Sequence, residues 1–160
     1  MPVVDEQQFK RVMGSFAASV TVLTGRDAAR HPVGMTATAF TSVSLAPPLF
    51  LVCVGRDASC LSIFLAEGVL AVNMLRAEQE AISNRFASPV ADRFDGVTYR
   101  PGPATGCPLI EGAMATIEGQ VREQMTAGDH EVLLVEVVDV EVDEVASPLV
   151  YHRGRYTGLA

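Results

Sequence analysis

Three stretches of this sequence carry residue types that can do chemistry. In GMTATAFTSVSLAPPL, from Gly34 to Leu49, the hydroxyls of Thr36, Thr38, Thr41, Ser42 and Ser44 crowd into an otherwise apolar segment. A core strand would carry more Val and Ile, and a plain loop more Gly, Asp and Lys. In RDASCLSIF, Ser59 and Cys60 stand where a strand gives way to a helix. Backbone amides at such a start, with the Ser59 hydroxyl, can hold an anion without net charge. In GDHEVLL, His130 follows a Gly128-Asp129 turn, where an imidazole can position a ligand or pass it a proton. Each stretch also has a plain structural reading: a Thr-rich edge strand ending in a Pro turn, a simple helix cap, and a solvated hairpin histidine.

The remaining reactive side chains narrow the chemistry further. Arg56, Arg76 and Arg85 are the cations best placed to meet a phosphate. Asn73, in AVNML, reads as a satisfied amide on a buried strand. Cys60 has no His at a spacing that would activate it as a nucleophile. His31 and His152 lack a third partner at ligand spacing, so no metal site is expected.

These residues need a scaffold, and the composition sets its kind. The chain has 160 residues, 49% hydrophobic and 19% charged, which fits one globular domain over 1–160. A net charge of −7 argues against nucleic-acid binding, because no basic footprint is available to displace counterions. Cys53, Cys60 and Cys107 form no C-x-x-C pair, as expected for free thiols in a reducing compartment. The start MPVVDEQQFKRVMG has no cationic segment followed by an apolar run, so no signal peptide is read there. The longest apolar run, LAPPLFLVCV, contains two prolines and is too short to span a bilayer. A cytoplasmic protein with no membrane association is expected.

Periodicity then supplies the elements. DEQQFKRVMG reads as a short helix capped by Asp5 with Gln8 three residues on; Phe9, Val12, Met13 and Phe16 fall at helical spacing. Strands are expected at Ser19 to Gly25, His31 to Phe40, Thr41 to Leu45 and Leu49 to Val54. A helix follows with Asp57 or Ser59 at its cap, Leu61, Phe64 and Leu65 inward and Gly68 after its end. VLAVNML is a buried strand and RAEQEAISNRFA a second helix. Residues 88–108, rich in Pro and Gly, read as a long surface excursion. In TIEGQVREQM, Ile117, Val121 and Met125 alternate with Glu118, Gln120, Arg122 and Gln124, the pattern of a half-buried strand. The run from Val132 to Val138 is apolar on both faces and needs a second layer of cover. Six or seven short strands with three helices predict a mainly β fold, a small closed antiparallel barrel with peripheral α-helices. Its interior fills with side chains, so a large ligand must lie outside, on the wall or at a subunit seam.

The hydroxyl-rich stretch suits a flavin, which needs an apolar floor, backbone donors and acceptors for its pyrimidine edge, and hydroxyl partners for its ribityl chain. Here the sequence resembles the short-chain flavin reductases, the reductase partners of two-component flavin-dependent monooxygenases. The likeness runs through FKRVMGSFAASVTVLTG, GMTATAFTSVSLAPPLFLVCV, LAVNML, SNRFA, GCPLIEGAMATIEGQV, GDHEVLLVEV and PLVYHRGRY. These motifs, in this order, are far more specific than any one alone.

The resemblance implies an antiparallel Greek-key split β-barrel (the FMN-binding split barrel), working as a homodimer. It implies that Thr36, Ala37 and Thr38 touch the isoalloxazine edge, while Ser42, Val43 and Ser44 line the ring and ribityl chain. The flavin phosphate would lie at Ser59 and Cys60, where the family more often has Ser-Thr, with Arg85 as its cation and Phe86 beside the ring. His130 would be the catalytic and nicotinamide-positioning residue, and Tyr156 a wall of the nicotinamide site. The implied activity is that of an NAD(P)H:flavin oxidoreductase, moving hydride from NADH, or NADPH, to FMN or FAD. Reduced flavin would then pass to a separate monooxygenase. Absence of a Rossmann G-x-G-x-x-G fits a dinucleotide folded over the flavin. Two rival readings keep the fold: a flavin carrier or redox module without NADH chemistry, and an enzyme of the pyridoxamine-phosphate oxidase type.

Overall fold

The structure, a computed structural model, describes residues 3–159. It opens on helix α1 (Glu6–Gly14), started by the expected capping box: the Asp5 carboxylate accepts from the Gln8 amide at 2.7 Å and the Gln8 side chain accepts from the Asp5 amide at 3.3 Å. Nothing on α1 is buried, and Phe9, Val12 and Met13 stand exposed, with Phe16 just beyond.

The strands that follow are β1 (Ala18–Ser19), β2 (Thr21–Arg26), β3 (Pro32–Ala37), β4 (Phe40–Leu45), β5 (Pro48–Gly55), β6 (Val69–Met74), β7 (Tyr99–Pro101), β8 (Pro108–Ile110), β9 (Ala115–Ala127), β10 (His130–Val142), β11 (Val150–His152) and β12 (Arg155–Thr157). Helix α2 (Leu61–Glu67) separates β5 from β6, and α3 (Glu80–Ala87) follows β6. Seven strands form one antiparallel sheet in the order β3-β2-β6-β9-β10-β5-β4. β3 and β4 occupy its opposite edges, yet only Thr38 and Ala39 join them. Two intervening residues reach at most about 11 Å, whereas a flat seven-stranded sheet separates its edges by about 29 Å. The sheet must therefore curl until its edges meet, and the seam between β3 and β4 is the split of the barrel. The expected single strand from His31 to Phe40 is thus broken at 38–39, where the chain crosses that seam.

Inside the barrel, Leu23, Phe50, Val52, Val54, Leu70, Val72, Leu133 and Val135 form the core, and α2 contributes Leu61 and Phe64. Gly68 ends α2 in the left-handed conformation, as predicted, but the helix cap is Cys60 and not Asp57 or Ser59. The backbone of 55–58 is already closed into a turn, with the Ala58 amide donating to the Gly55 carbonyl, which carries the helix start past Ser59. A second cluster of Val20, Val22, Leu75, Phe86, Phe94, Ile110 and Leu149 joins α3 to the barrel wall. Gly34 makes this contact possible: a Cβ there would lie 2.8 Å from the Phe86 ring and 2.9 Å from the Leu23 carbonyl.

The excursion at 88–108 is more anchored than its composition suggests. Phe94 is buried against Phe86 edge-to-face at 4.9 Å, Cys107 is fully buried, and β7 pairs with β8. Glu118, expected on an open face, is 1% exposed. Its carboxylate accepts from the amides of Ala104 and Thr105 and from the Thr105 hydroxyl, so the returning loop covers the face that alternation assigned to solvent. Asn73 is the satisfied core amide expected: it accepts from the Ile110 amide at 2.7 Å and donates to the Val22 carbonyl and Thr24 hydroxyl.

Candidate functional site

The seam gives β3 an unpaired edge, and two clefts border that strand. One, of about 450 Å³, is lined by Thr36, Ala37, Thr38, Ser83, Asn84, Tyr151 and Tyr156, among others. The Tyr156 hydroxyl lies 2.8 Å from the Ser83 hydroxyl and donates to the Asn84 side-chain carbonyl at 3.0 Å. The Thr36 hydroxyl donates to the Ser83 carbonyl at 2.7 Å, so strand, helix α3 and closing strand β12 are tied by one polar chain. Tyr151 packs edge-on against Tyr156 at 5.3 Å. The cleft thus combines aromatic walls, fixed hydroxyls and open strand backbone, the mixture that orients a planar heteroaromatic ligand.

The second cleft, of about 270 Å³, brings Gly34 of β3 together with Ser59, Cys60 and Arg93. Arg93 donates from Nε to the Ser88 carbonyl at 3.1 Å and from Nη1 to the Gly34 carbonyl at 2.8 Å. Among the described residues it has no carboxylate partner. Burial pushes the Cys60 thiol above its usual range, and the charge of Arg93 opposes that shift. The thiol is therefore protonated at neutral pH, a weak donor with no nucleophilic character.

Two of the expected site residues are engaged by the fold itself. Arg85 does not reach this cleft with a free guanidinium: Nε donates to the Arg93 carbonyl, and Nη2 to the Asp92 carbonyl and to the Asp95 carboxylate at 3.1 Å. It pins the loop that carries Arg93. Phe86 is 1% exposed, and its ring is a packing element between Gly34 and Phe94. Arg93, Ser83 and Asn84 escaped sequence reasoning. Arg93 lies in the excursion read as surface, and the neighbouring Phe94 was the available signal that this loop returns to the core.

Ser42, Val43 and Ser44 lie on β4 across the seam, with Ser42 and Val43 exposed and a bulge between Ser42 and Ser44. His130 begins β10 and lines a third cleft with Gly55, Arg56, Asp57 and Asp129. Its Nδ1 sits 2.7 Å from the Asp129 carboxylate, which this bond holds below the usual carboxylate range. His130 and Tyr156, expected to share one nicotinamide site, therefore line separate clefts within the chain. The turn at 55–60 joins the His130 cleft to the Arg93 cleft, and β3 joins the Arg93 cleft to the Tyr156 cleft.

The chain is similar to known proteins over most of its length. A flavin reductase (NADH) of Kitasatospora aureofaciens is 42% identical over 156 residues, covering 96% of this chain and 82% of that protein. The reductase component of a 4-hydroxyphenylacetate 3-monooxygenase from Pseudomonas aeruginosa is 37% identical, covering 91% and 87%. The solved structure of an NADH:FAD oxidoreductase of Streptomyces globisporus, also solved in complex with NAD and FAD fragments, superposes with a TM-score of 0.92 at 38% identity, over 100% of this chain and 98% of that one. The family model described as flavin reductase like domain matches residues 13–160, and the chain belongs to that family.

Proposed function

We propose that this protein is an NADH-dependent flavin reductase that passes hydride from NADH to FMN or FAD and releases reduced flavin to a separate monooxygenase. The observation that carries this reading is the pair of clefts along the open edge of β3, one aromatic and hydroxyl-lined, the other holding a cation with no carboxylate partner. The residues fit a flavin. Thr36, Ala37 and Thr38 offer strand backbone to a ring, Ser42, Val43 and Ser44 border the seam, and Ser59, Cys60 and Arg93 offer donors to a phosphate. Arg93 replaces Arg85 in that role, and Phe86 supports the site from beneath. Flavin bound there supplies the hydride-accepting ring. Tyr156, fixed by Ser83 and Asn84, walls the ring site and limits water, which is what a short-range hydride transfer asks of the protein. His130 is a positioning group for the nicotinamide, held by Asp129.

The named relatives support the cofactors: one is a flavin reductase (NADH), and another was solved with NAD and FAD fragments. A reductase component of a monooxygenase among them supports the partner class. The protein acts as one unit over 1–160, as a homodimer in the cytoplasm; no helix among the described residues is long and apolar enough to cross a membrane. Loss of NADH absorbance on adding FMN or FAD tests the reading. Tight flavin binding with no NADH oxidation would establish the carrier or redox-module alternative instead.

A further inference from the structure

A cleft of about 490 Å³ lies between α1 and the β11–β12 turn, lined by Lys10, Arg11, Gly14, Ser15, Arg153 and Gly154. Three of its four side chains longer than a hydrogen are cationic, in a chain whose net charge is −7 and whose one lysine is Lys10. Lys10 pairs with Glu6, but Arg11 and Arg153 have no carboxylate partner among the described residues. Two guanidinium groups held in one cleft repel each other, and an acidic chain had carboxylates to spare for neutralising them. The arrangement is also fixed: the Arg153 amide donates to the Gly14 carbonyl at 2.8 Å, tying the end of α1 to the turn. Arg153 itself takes a left-handed φ of 49°, at a two-residue hairpin position that Asn, Asp or Gly fills more readily.

Gly154 lines both this cleft and the one containing Tyr156, Thr36 and Thr38. A ligand whose planar ring occupies the aromatic cleft would extend past Gly154 into the cationic one. The ligand class with a ring at one end and two negative charges further along is a dinucleotide. We propose that Arg11 and Arg153, with Lys10 at the edge, form a subsite for the diphosphate of a dinucleotide whose ring lies in the Tyr156 cleft. This rests on the reductase reading above. Two sources offer that chemistry: the nicotinamide dinucleotide fits the flavin phosphate assigned above to Ser59, Cys60 and Arg93, whereas FAD in this subsite would draw its phosphates away from that cleft, and each is distinguishable from its mononucleotide.

The test uses the full-length double variant Arg11→Gln with Arg153→Asn, since Asn tolerates the left-handed turn. Calorimetry with ADP, which carries the diphosphate and no redox ring, should show binding to wild type that weakens about tenfold or more in the variant. In turnover, the ratio of KM for NADH to KM for reduced nicotinamide mononucleotide should rise about tenfold if the diphosphate is that of the nicotinamide dinucleotide. A rise in the FAD to FMN ratio instead assigns the same subsite to the flavin. The proposal is overturned if wild type does not bind ADP, if the variant binds it equally, or if ADP binding falls while neither ratio moves. A wild type that binds ADP yet oxidises no NADH removes the reductase reading, and the calorimetry alone then decides the subsite.

Discussion

A guanidinium can serve a ligand only where its donors are not already engaged by the fold. Arg85 and Arg93 each have two guanidinium nitrogens bonded to the fold, but Arg85 pairs with the Asp95 carboxylate and does not line the cleft, whereas Arg93 lines it with no carboxylate partner among the described residues. Arg93→Ala should therefore weaken FMN relative to riboflavin, by about ten- to a hundredfold in the ratio of dissociation constants, because only FMN offers the phosphate. Fluorescence titration with both flavins reads this, and equal weakening of the two would reduce Arg93 to a tether for Gly34 and Ser88. His130 is half-exposed at the start of β10, beside a turn, so His130→Ala opens no core cavity. The variant should keep flavin affinity and melting temperature while its flavin reduction by NADH slows or its KM for NADH rises. A reduction rate within about twofold of wild type, in stopped flow, would remove His130 from the mechanism. At this scale the sequence was readable where partners are local. Asp5 and Gln8 lie three residues apart and cap as expected, but the partners of Arg85 are set by how a loop folds back, which no spacing records.

Among the elements, the strand pattern was legible where β9 crosses the core, but it failed where a loop supplies the cover and at Met125, which stands exposed beyond the core. β9 shows both outcomes: Ile117 packs on the core as its alternation predicts, while Glu118 on the opposite face is sealed by residues 102–107. The carboxylate is an obligate acceptor there. In Glu118→Gln the side-chain amide cannot accept all three donors, and a buried donor left unmatched costs about 1–3 kcal/mol. Chemical denaturation should show a loss of that order, with faster amide exchange at Ala104 and Thr105. Unchanged exchange in that loop would mean the carboxylate does not hold it. The seam follows a different logic. A two-residue link between opposite sheet edges dictates closure, yet the sequence alone gave no sign that the run from His31 to Phe40 breaks at Thr38 and Ala39.

For the whole molecule, the surface is what one chain leaves unfinished. Phe9, Val12 and Met13 on α1 are exposed, and Leu51, Cys53, Val132 and Leu134 are only half-covered on the outer face shared by β5 and β10. Exposed apolar side chains on α1 and half-covered ones on β5 and β10 offer surface for a second copy to cover, so sedimentation at micromolar concentration should give a dimer, and a fully active monomer would contradict that assembly. The apolar character of the Val132 to Val138 run on both faces was legible in its composition, and its outward residues are half-covered or exposed; the exposed face of α1 was not, since helical periodicity marks an apolar face without saying what meets it. The work proposed for this barrel is hydride passage from NADH to flavin along the open edge of β3. Anaerobic mixing of the protein with FMN and NADH measures it most directly, by following the loss of oxidised-flavin absorbance within single turnovers. Rapid, saturable bleaching is expected, faster than the protein-free rate and slowed in Arg93→Ala for FMN more than for riboflavin. Bound flavin that stays oxidised in excess NADH would contradict it.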